Sequence, residues 1–216
     1  QASQALITHI LEAMDKEPER PFTIALSGGT TPATLFEVWE REYAAYTPWP
    51  RIYFYWVDER CVPPGDDQSN FGLAYRLLFS HYYRIVGEGA PEEEAKQYSS
   101  IVKTTVPTVD GVPVFDFVLL GIGEDGHTSS IFPDHQELLT AGEPYEVSVN
   151  PYNKTVRICM TGRPLIEARH TCFLVTGENK CSILKEILDK NKEGVYPASY
   201  IWHHARNPQL YASLVS

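Results

Sequence analysis

Glu124-Asp125-Gly126-His127 places carboxylates, a flexible joint and an imidazole side by side at the end of the apolar run FDFVLLGIG, residues 115–123. An imidazole titrates near neutral pH, so a positioned His127 can take up a proton at physiological pH. The apolar run reads as a buried strand, and strands of an open parallel sheet end in such polar turns where a ligand sits. The same residues also fit a plain loop histidine satisfied by a backbone carbonyl.

Three more polar motifs each follow an apolar run. FTIAL (22–26) leads into Ser27-Gly28-Gly29-Thr30-Thr31-Pro32, and IYFYWV (52–57) leads into Asp58-Glu59-Arg60. CFLV (172–175) leads into Thr176-Gly177-Glu178-Asn179-Lys180. Parallel strands present their ends at one edge, so all four motifs are expected to line one crevice. In SGGTTP the glycines let backbone N–H groups approach an oxyanion, and the helix that follows adds the positive end of its dipole. The loop lacks the GKS or GKT of a Walker motif and does not match GxGxxG, so it does not indicate a dinucleotide. A tight strand-to-helix turn is the alternative reading.

Lys180 falls in the first turn of a predicted helix, where the dipole disfavours a cation unless an anion is bound there. A solvated lysine is the other reading. Arg60 is placed either to grip phosphate in a two-pronged contact or to be held by Asp58. Arg157 either reaches the crevice or pairs with a carboxylate. A metal site from Asp58, Asp125 and His127 is not expected, because the chain has no HExxH and no regular His/Cys cluster. His203-His204 is not at ligand spacing, and no GxSxG elbow supplies a serine nucleophile.

The elements that must position these residues follow from periodicity. Residues 2–17 carry Leu6, Ile7, Ile10, Leu11 and Met14 on one helical stripe. Thr31 is expected to cap a helix with Pro32 at its first position and Leu35, Phe36, Val38 and Trp39 inward. After the loop DERCVPPGDDQSN, in which Gln68-Ser69-Asn70 resembles a cap, a helix is predicted through Leu73, Leu77 and Leu78. Another covers 92–105, followed by a turn at Asp110-Gly111. Val156–Met160, Cys172–Val175 and Leu210–Val215 read as further strands, and Asn179–Leu188 reads as a helix with Ile183, Leu184 and Ile187 inward. Continuous apolar strands alternating with helices imply one α/β domain over residues 1–216, a mostly parallel, Rossmann-like open sheet covered on both faces.

Composition sets the class. The 216 residues are 43% apolar, with no run long enough to span a membrane and no signal peptide in residues 1–20. Cys61, Cys159, Cys172 and Cys181 form no CxxC pair, which fits reduced thiols and a cytoplasmic protein. The net charge of −10 argues against nucleic-acid and anionic-membrane partners, while leaving room for a small anion held by locally placed cations. The sequence does not give the oligomeric state; a monomer is favoured.

The motifs together resemble the 6-phosphogluconolactonase family. The matching pieces are ALSGGTTP (25–32), WVDERCVPPGDDQSN (56–70), DFVLLGIGEDGHTSSIFP (116–133), VTGENK (175–180) and PAS (197–199), which spread over almost the whole chain. The resemblance implies a sheet fold shared with glucosamine-6-phosphate deaminases. It also implies cofactor-free, metal-independent hydrolysis of 6-phospho-D-glucono-1,5-lactone in the pentose phosphate pathway. Carried over, His127 would activate water and Asp125 would orient it. Gly29, Thr30 and Thr31 would hold the phosphate, with Asp58, Arg60, Arg157 and Lys180 around it. Arg60 and backbone N–H groups of the Gly121–Gly126 loop are the candidates for the oxyanion, and the choice of role for Arg60 stays open. Family members usually carry a segment before the first helix, so the chain is expected to be trimmed there. IWHHARNPQLYASLVS matches the usual ending only loosely, so His203 and His204 are given no role.

Deaminases of this fold continue DGHxAFNEP, whereas this chain reads DGHTSSIFP, with Phe132 at the glutamate position. Proton transfer between carbons needs that carboxylate more than lactone hydrolysis does, which favours the lactonase. A non-catalytic sugar-phosphate-binding protein is the remaining alternative; such a module would not need both Asp125 and His127.

Overall fold

The computed structural model describes residues 1–75 and 81–214. Helix α1 (Ala2–Lys16) leads into β1 (Phe22–Leu26), α2 (Thr30–Val38), β2 (Ile52–Trp56) and the short β3 (Asp58–Arg60). Then come α3 (Asn70–Tyr75), β4 (His81–Tyr82), α4 (Pro91–Thr105), the hairpin of β5 (Thr108–Val109) and β6 (Val112–Pro113), and β7 (Phe117–Leu120). The remainder holds β8 (Tyr145–Val149), β9 (Val156–Met160), α5 (Gly162–Glu167), β10 (His170–Thr176), α6 (Cys181–Leu188), α7 (Pro197–His204) and β11 (Pro208–Ser213).

Six strands form an all-parallel sheet in the order β11-β10-β7-β1-β2-β4. Every residue of β1 and β7 is buried, as expected for central strands covered on both faces. β1 sends its chain outward to β2, while β7 sends its chain the other way, to β10. The crevice outside the C-terminal ends of β1 and β7 is therefore the topological switch point, where open α/β sheets bind ligands. The Ser27 hydroxyl donates to the Leu119 carbonyl at 2.7 Å and ties the two strands together at that end.

At the opposite end one buried carboxylate sets how β1 and β7 sit together. Asp116 is 1% exposed and accepts from the Thr23 amide at 2.8 Å and the Thr23 hydroxyl at 3.0 Å. It also takes a two-pronged contact from Arg20, at 2.6 and 2.8 Å, and lies 3.4 Å from Arg169 Nε. Hydrogen bonding to Asp116 holds the Arg20 guanidinium above its ordinary pKa. Arg20 and Arg169 in turn bond Glu17 and lower its carboxyl to about 2.

The structure differs from the sequence reading at three elements. Val156–Met160 is a strand, but it does not join the parallel sheet: β3, β9 and β8 form a separate antiparallel sheet. A five-residue strand looks alike in either pairing, and only its partners decide the direction. Gly29, not Thr31, is the N-cap of α2; it turns the chain at φ 102°, and Pro32 is the third helical residue. The helix predicted from Asn179 begins with a 3-10 turn, Glu178–Lys180, and becomes α-helical at Cys181. Leu77, Leu78 and Val215 lie outside the described residues, while the hairpin turn at Asp110-Gly111 is as expected. All four cysteines are free thiols, and among the described residues no helix is long and apolar enough to cross a membrane.

Replacing Asp116 with alanine leaves the buried Thr23 amide without its acceptor and two arginines with only Glu17 as a carboxylate partner. The expected loss is about 3 kcal/mol, the low end for a broken buried ion pair because both arginines keep some solvent. Urea unfolding of Asp116→Ala against wild type checks it, and a change under 1 kcal/mol would contradict this role.

Candidate active site

The Gly123–His127 turn is built so that Asp125 and His127 must meet. Gly126 N–H donates to the Gly123 carbonyl at 3.0 Å, and Gly123 N–H donates to the His127 carbonyl at 2.9 Å. Asp125 Oδ1 lies 2.6 Å from His127 Nδ1 and also accepts the His127 backbone N–H at 3.2 Å. This occupies Nδ1 and leaves Nε2 as the ring nitrogen free for the cleft. Burial by itself would raise the Asp125 carboxyl; hydrogen bonds from His127 and from the Tyr152 hydroxyl outweigh it and lower it to about 2. The ion is therefore present at neutral pH to fix the imidazole tautomer.

Phe132, fully buried, lies 4.6 Å from the His127 ring centroid to centroid and gives it a hydrophobic floor. The Arg157 guanidinium sits over the Phe132 ring, 5.8 Å from its centroid. Where the deaminase pattern has glutamate, this chain thus has an aromatic ring in contact with the imidazole.

The loop after His127 bends through unusual backbone: Ser129 has φ 59° and Ser130 φ 145°. Such conformations cost on the order of 1–3 kcal/mol each and persist where surrounding contacts over-determine them. Those contacts are present. Ser129 Oγ donates to the Met160 carbonyl at 2.8 Å, Ser148 Oγ donates to the Ser130 carbonyl at 2.6 Å, and Ser130 Oγ donates to Asp58 Oδ2.

β3 supplies the opposite wall. Glu59 points away from the cleft and caps α3, accepting the Asn70 and Phe71 amides at 2.8 Å each and the Ser69 hydroxyl at 3.0 Å. Burial pushes its carboxyl up, and these amides oppose the shift. Asn70 Nδ2 donates to the Asp58 carbonyl at 2.9 Å and to Oδ1 at 3.2 Å. Asp58 is also 3.7 Å from Arg157 Nη1, which donates to Ser130 Oγ at 3.2 Å. Arg60 Nη1 donates to the Gln68 carbonyl.

β3 and β9 pair so that Arg60 stands directly opposite Arg157. Like charges in that position repel. Burial lowers Arg157 from the ordinary arginine value, Asp58 opposes the shift, and Arg60 adds to it. The Nε atoms of both arginines are buried without a hydrogen-bond partner. Two guanidiniums on facing residues are the chemistry suited to an anion.

These walls enclose two adjoining clefts. One, of ≈ 110 Å³, is lined by residues that include Ser27, Gly28, Gly121, His127, Arg60 and Arg157. The other, of ≈ 240 Å³, is lined by Gly29, Thr30 and Asn70 among others, and Arg60 borders both.

The structure thus brings together three of the four strand-end motifs. The fourth packs beside them without lining either cleft: Thr176 Oγ1 lies 2.7 Å from Thr31 Oγ1, and Asn179 bonds Glu124. Lys180 is half-buried; its backbone N–H donates to the Gly177 carbonyl at 3.1 Å, and its side chain makes no hydrogen bond or ion pair with a described residue. His203 bonds the Ile187 carbonyl at 3.2 Å, and His204 pairs with Glu193. Two of the amides expected to face the oxyanion, those of Gly123 and Gly126, are used inside the turn. Sequence reasoning gave no site role to Asn70, Ser130 or Tyr152. Asn70 and Ser130 lie inside the motifs already singled out, whereas nothing local marks Tyr152, whose hydroxyl reaches Asp125 from 27 positions away. Among the described residues no group of three or more His, Cys, Asp or Glu is placed to hold a metal ion.

The family model for glucosamine-6-phosphate isomerases/6-phosphogluconolactonase matches residues 1–211. The chain belongs to this family. A protein of Treponema pallidum named 6-phosphogluconolactonase is 39% identical over 171 residues, covering 76% of this chain and 71% of that protein. One of the same name from Haemophilus influenzae is 38% identical over 190 residues, covering 84% and 80%. The crystal structure of 6-phosphogluconolactonase from Leishmania guyanensis matches with a TM-score of 0.82 at 29% identity, over 97% of this chain and 91% of that one. The sheet fold expected from the sequence resemblance is the fold observed.

Gly123 offers a sharp check on the geometry of the turn. A Cβ there would lie 2.1 Å from His127 Nδ1 and 2.5 Å from Asp125 Oδ1. The half-exposed imidazole can swing aside, so Gly123→Ala is expected to fold normally. Displacing the ring by about 1 Å should lower kcat by about 100-fold. A variant that loses its Tm, or keeps its kcat, would contradict the placement of the ring.

Proposed function

We propose that the chain hydrolyses 6-phospho-D-glucono-1,5-lactone to 6-phospho-D-gluconate, the lactonase step of the oxidative pentose phosphate pathway. The observation that carries this reading is the Asp125–His127 pair, 2.6 Å apart, opening into the same cleft as the opposed guanidiniums of Arg60 and Arg157, whose Nε donors have no partner. A general base beside an anion pocket suits water attack on a phosphorylated ester. The names of the relatives point to the same substrate.

His127 Nε2 takes a proton from water as its oxygen bonds to the lactone carbonyl carbon. The carbonyl electrons move onto oxygen, giving a tetrahedral oxyanion. Preorganised donors stabilise that charge most where water is excluded. Arg157 and the backbone N–H groups of Thr128 and Ser129, which border this cleft, are assigned to it. The oxyanion then collapses, the ring C–O bond breaks, and the imidazolium returns its proton to the departing ring oxygen. The product acid ionises in solution.

The 6-phosphate is assigned to the adjoining cleft, at Gly29 and Thr30 where α2 begins, with Arg60 between the two clefts. Thr31 contributes by holding that loop to Thr176. Asp58, already engaged by Asn70, Ser130 and Arg157, is assigned to steady Arg157. Lys180 remains available at the edge as a source of positive field. The cluster counters a net charge of −10 that would otherwise repel an anionic substrate. Phe132 against the imidazole disfavours the deaminase alternative, which needs a carboxylate in that segment.

An assay coupled to 6-phosphogluconate dehydrogenase is expected to show lactone hydrolysis above the spontaneous rate, and none of the product of glucosamine-6-phosphate deamination. Replacing His127 with alanine should lower kcat by about 10²- to 10⁴-fold with little change in KM. Hydrolysis no faster than buffer would end the proposal. For Arg60→Met the expected effect is on binding. KM should rise about 10- to 100-fold, the scale of a lost charge-assisted hydrogen bond, and inhibition by inorganic phosphate should weaken in parallel. A change confined to kcat would move Arg60 to the oxyanion.

A further inference from the structure

We infer that Tyr152 is a positioning residue for the reaction, acting on His127 through the carboxylate of Asp125. The inference rests on the reading of His127 as the base. Asp125 uses Oδ1 for the imidazole and the backbone N–H of His127, and its other oxygen, Oδ2, accepts the Tyr152 hydroxyl at 2.9 Å. The three groups form a chain from phenol to carboxylate to imidazole, with the carboxylate pinned at both oxygens. This is the arrangement by which an outer partner sets the orientation and basicity of a ring in direct contact with substrate.

Tyr152 is not there for packing, since 71% of it is exposed and its side chain bonds only through the hydroxyl. It is also held in place. It stands at the tip of the β8–β9 hairpin, where Asn150 Oδ1 accepts the Tyr152 N–H at 2.9 Å and the Asn153 N–H at 3.3 Å. Asn150 N–H donates to the Thr155 carbonyl, and Lys154 N–H donates to the Asn150 carbonyl, each at 2.9 Å. The strand leaving this tip carries Arg157, so one rigid hairpin delivers both the cation and the phenol. The other charged groups around the dyad are Asp58, Arg60 and Arg157 in the cleft, and Asp134 near the phenol.

The direction of the effect follows from the hydrogen bonds. A phenol donating to Oδ2 withdraws electron density from the carboxylate and makes it a weaker partner for imidazolium. Without the phenol, Asp125 stays beside the ring, because the His127 backbone N–H still holds Oδ1. It then stabilises the protonated ring more strongly, and the base gives up its proton at higher pH.

The test is Tyr152→Phe, which keeps the ring and removes the donor. The acid limb of kcat/KM should move to higher pH by about half a unit, as should the His127 ring titration followed by NMR and assigned by difference from His127→Ala. Plateau kcat should fall about 3- to 10-fold, the scale of one hydrogen bond, with KM unchanged. In an Asp125→Asn background the same change should have no further effect, because the phenol acts only through the carboxylate. A limb that stays put or moves to lower pH overturns the proposal, as does a change in Tm alone or an equal effect in the Asp125→Asn background. An active His127→Ala enzyme would overturn the base reading along with it. An inactive His127→Ala beside an unaltered Tyr152→Phe would sink the Tyr152 proposal alone.

Discussion

A single buried carboxylate at the foot of the sheet, Asp116, holds β1 and β7 in the relation on which the site depends. It is bonded to the backbone and side chain of Thr23 and gripped by Arg20, so neither strand can slide without stranding a buried charge. A slip of one residue would also turn every side chain of a strand to the other face. With the register fixed at the foot, Ser27 and Gly121 emerge side by side at the top, and their loops open into one crevice. The geometry of the cleft is set at the far end of the strands.

The second constraint is electrostatic. Pairing β3 with β9 in antiparallel register forces Arg60 against Arg157, an arrangement of like charges that is unfavourable by itself. Asp58 relieves part of the repulsion, but it lies beside Arg157 Nη1 with Ser130 and leaves both Nε donors unused. The strained Ser129-Ser130 backbone belongs to the same device, since it places the Ser130 hydroxyl between Asp58 and Arg157. Strain and like-charge repulsion both gather at this one wall of the cleft, as expected where function and stability compete.

Much of this was legible along the chain, for definite reasons. β1 was readable to the residue because a central parallel strand is apolar on both faces and bounded by polar turns. The Asp125–His127 contact was readable because it is local, closed by a turn two residues wide. The cap of α2 was misplaced by two positions: Thr31 has the composition of a cap, but its hydroxyl is drawn to Thr176, 145 residues away, while Gly29 makes the turn. Lys180 was placed near an anion by its position in a helix, yet the structure keeps it outside the lining of both clefts.

The sequence by itself determined which groups are present and which local shapes they take: apolar strands, glycine-bearing loops at their ends, and a carboxylate beside an imidazole. These depend on neighbours in the chain, whose distances are fixed by covalent geometry. Only the tertiary structure decided that β9 runs antiparallel beside β3, that Arg157 therefore faces Arg60, and that a tyrosine at the tip of a hairpin closes on Asp125. Those contacts join residues far apart in sequence. They are set by the packing and strand pairing of the whole fold, which no stretch of local periodicity encodes.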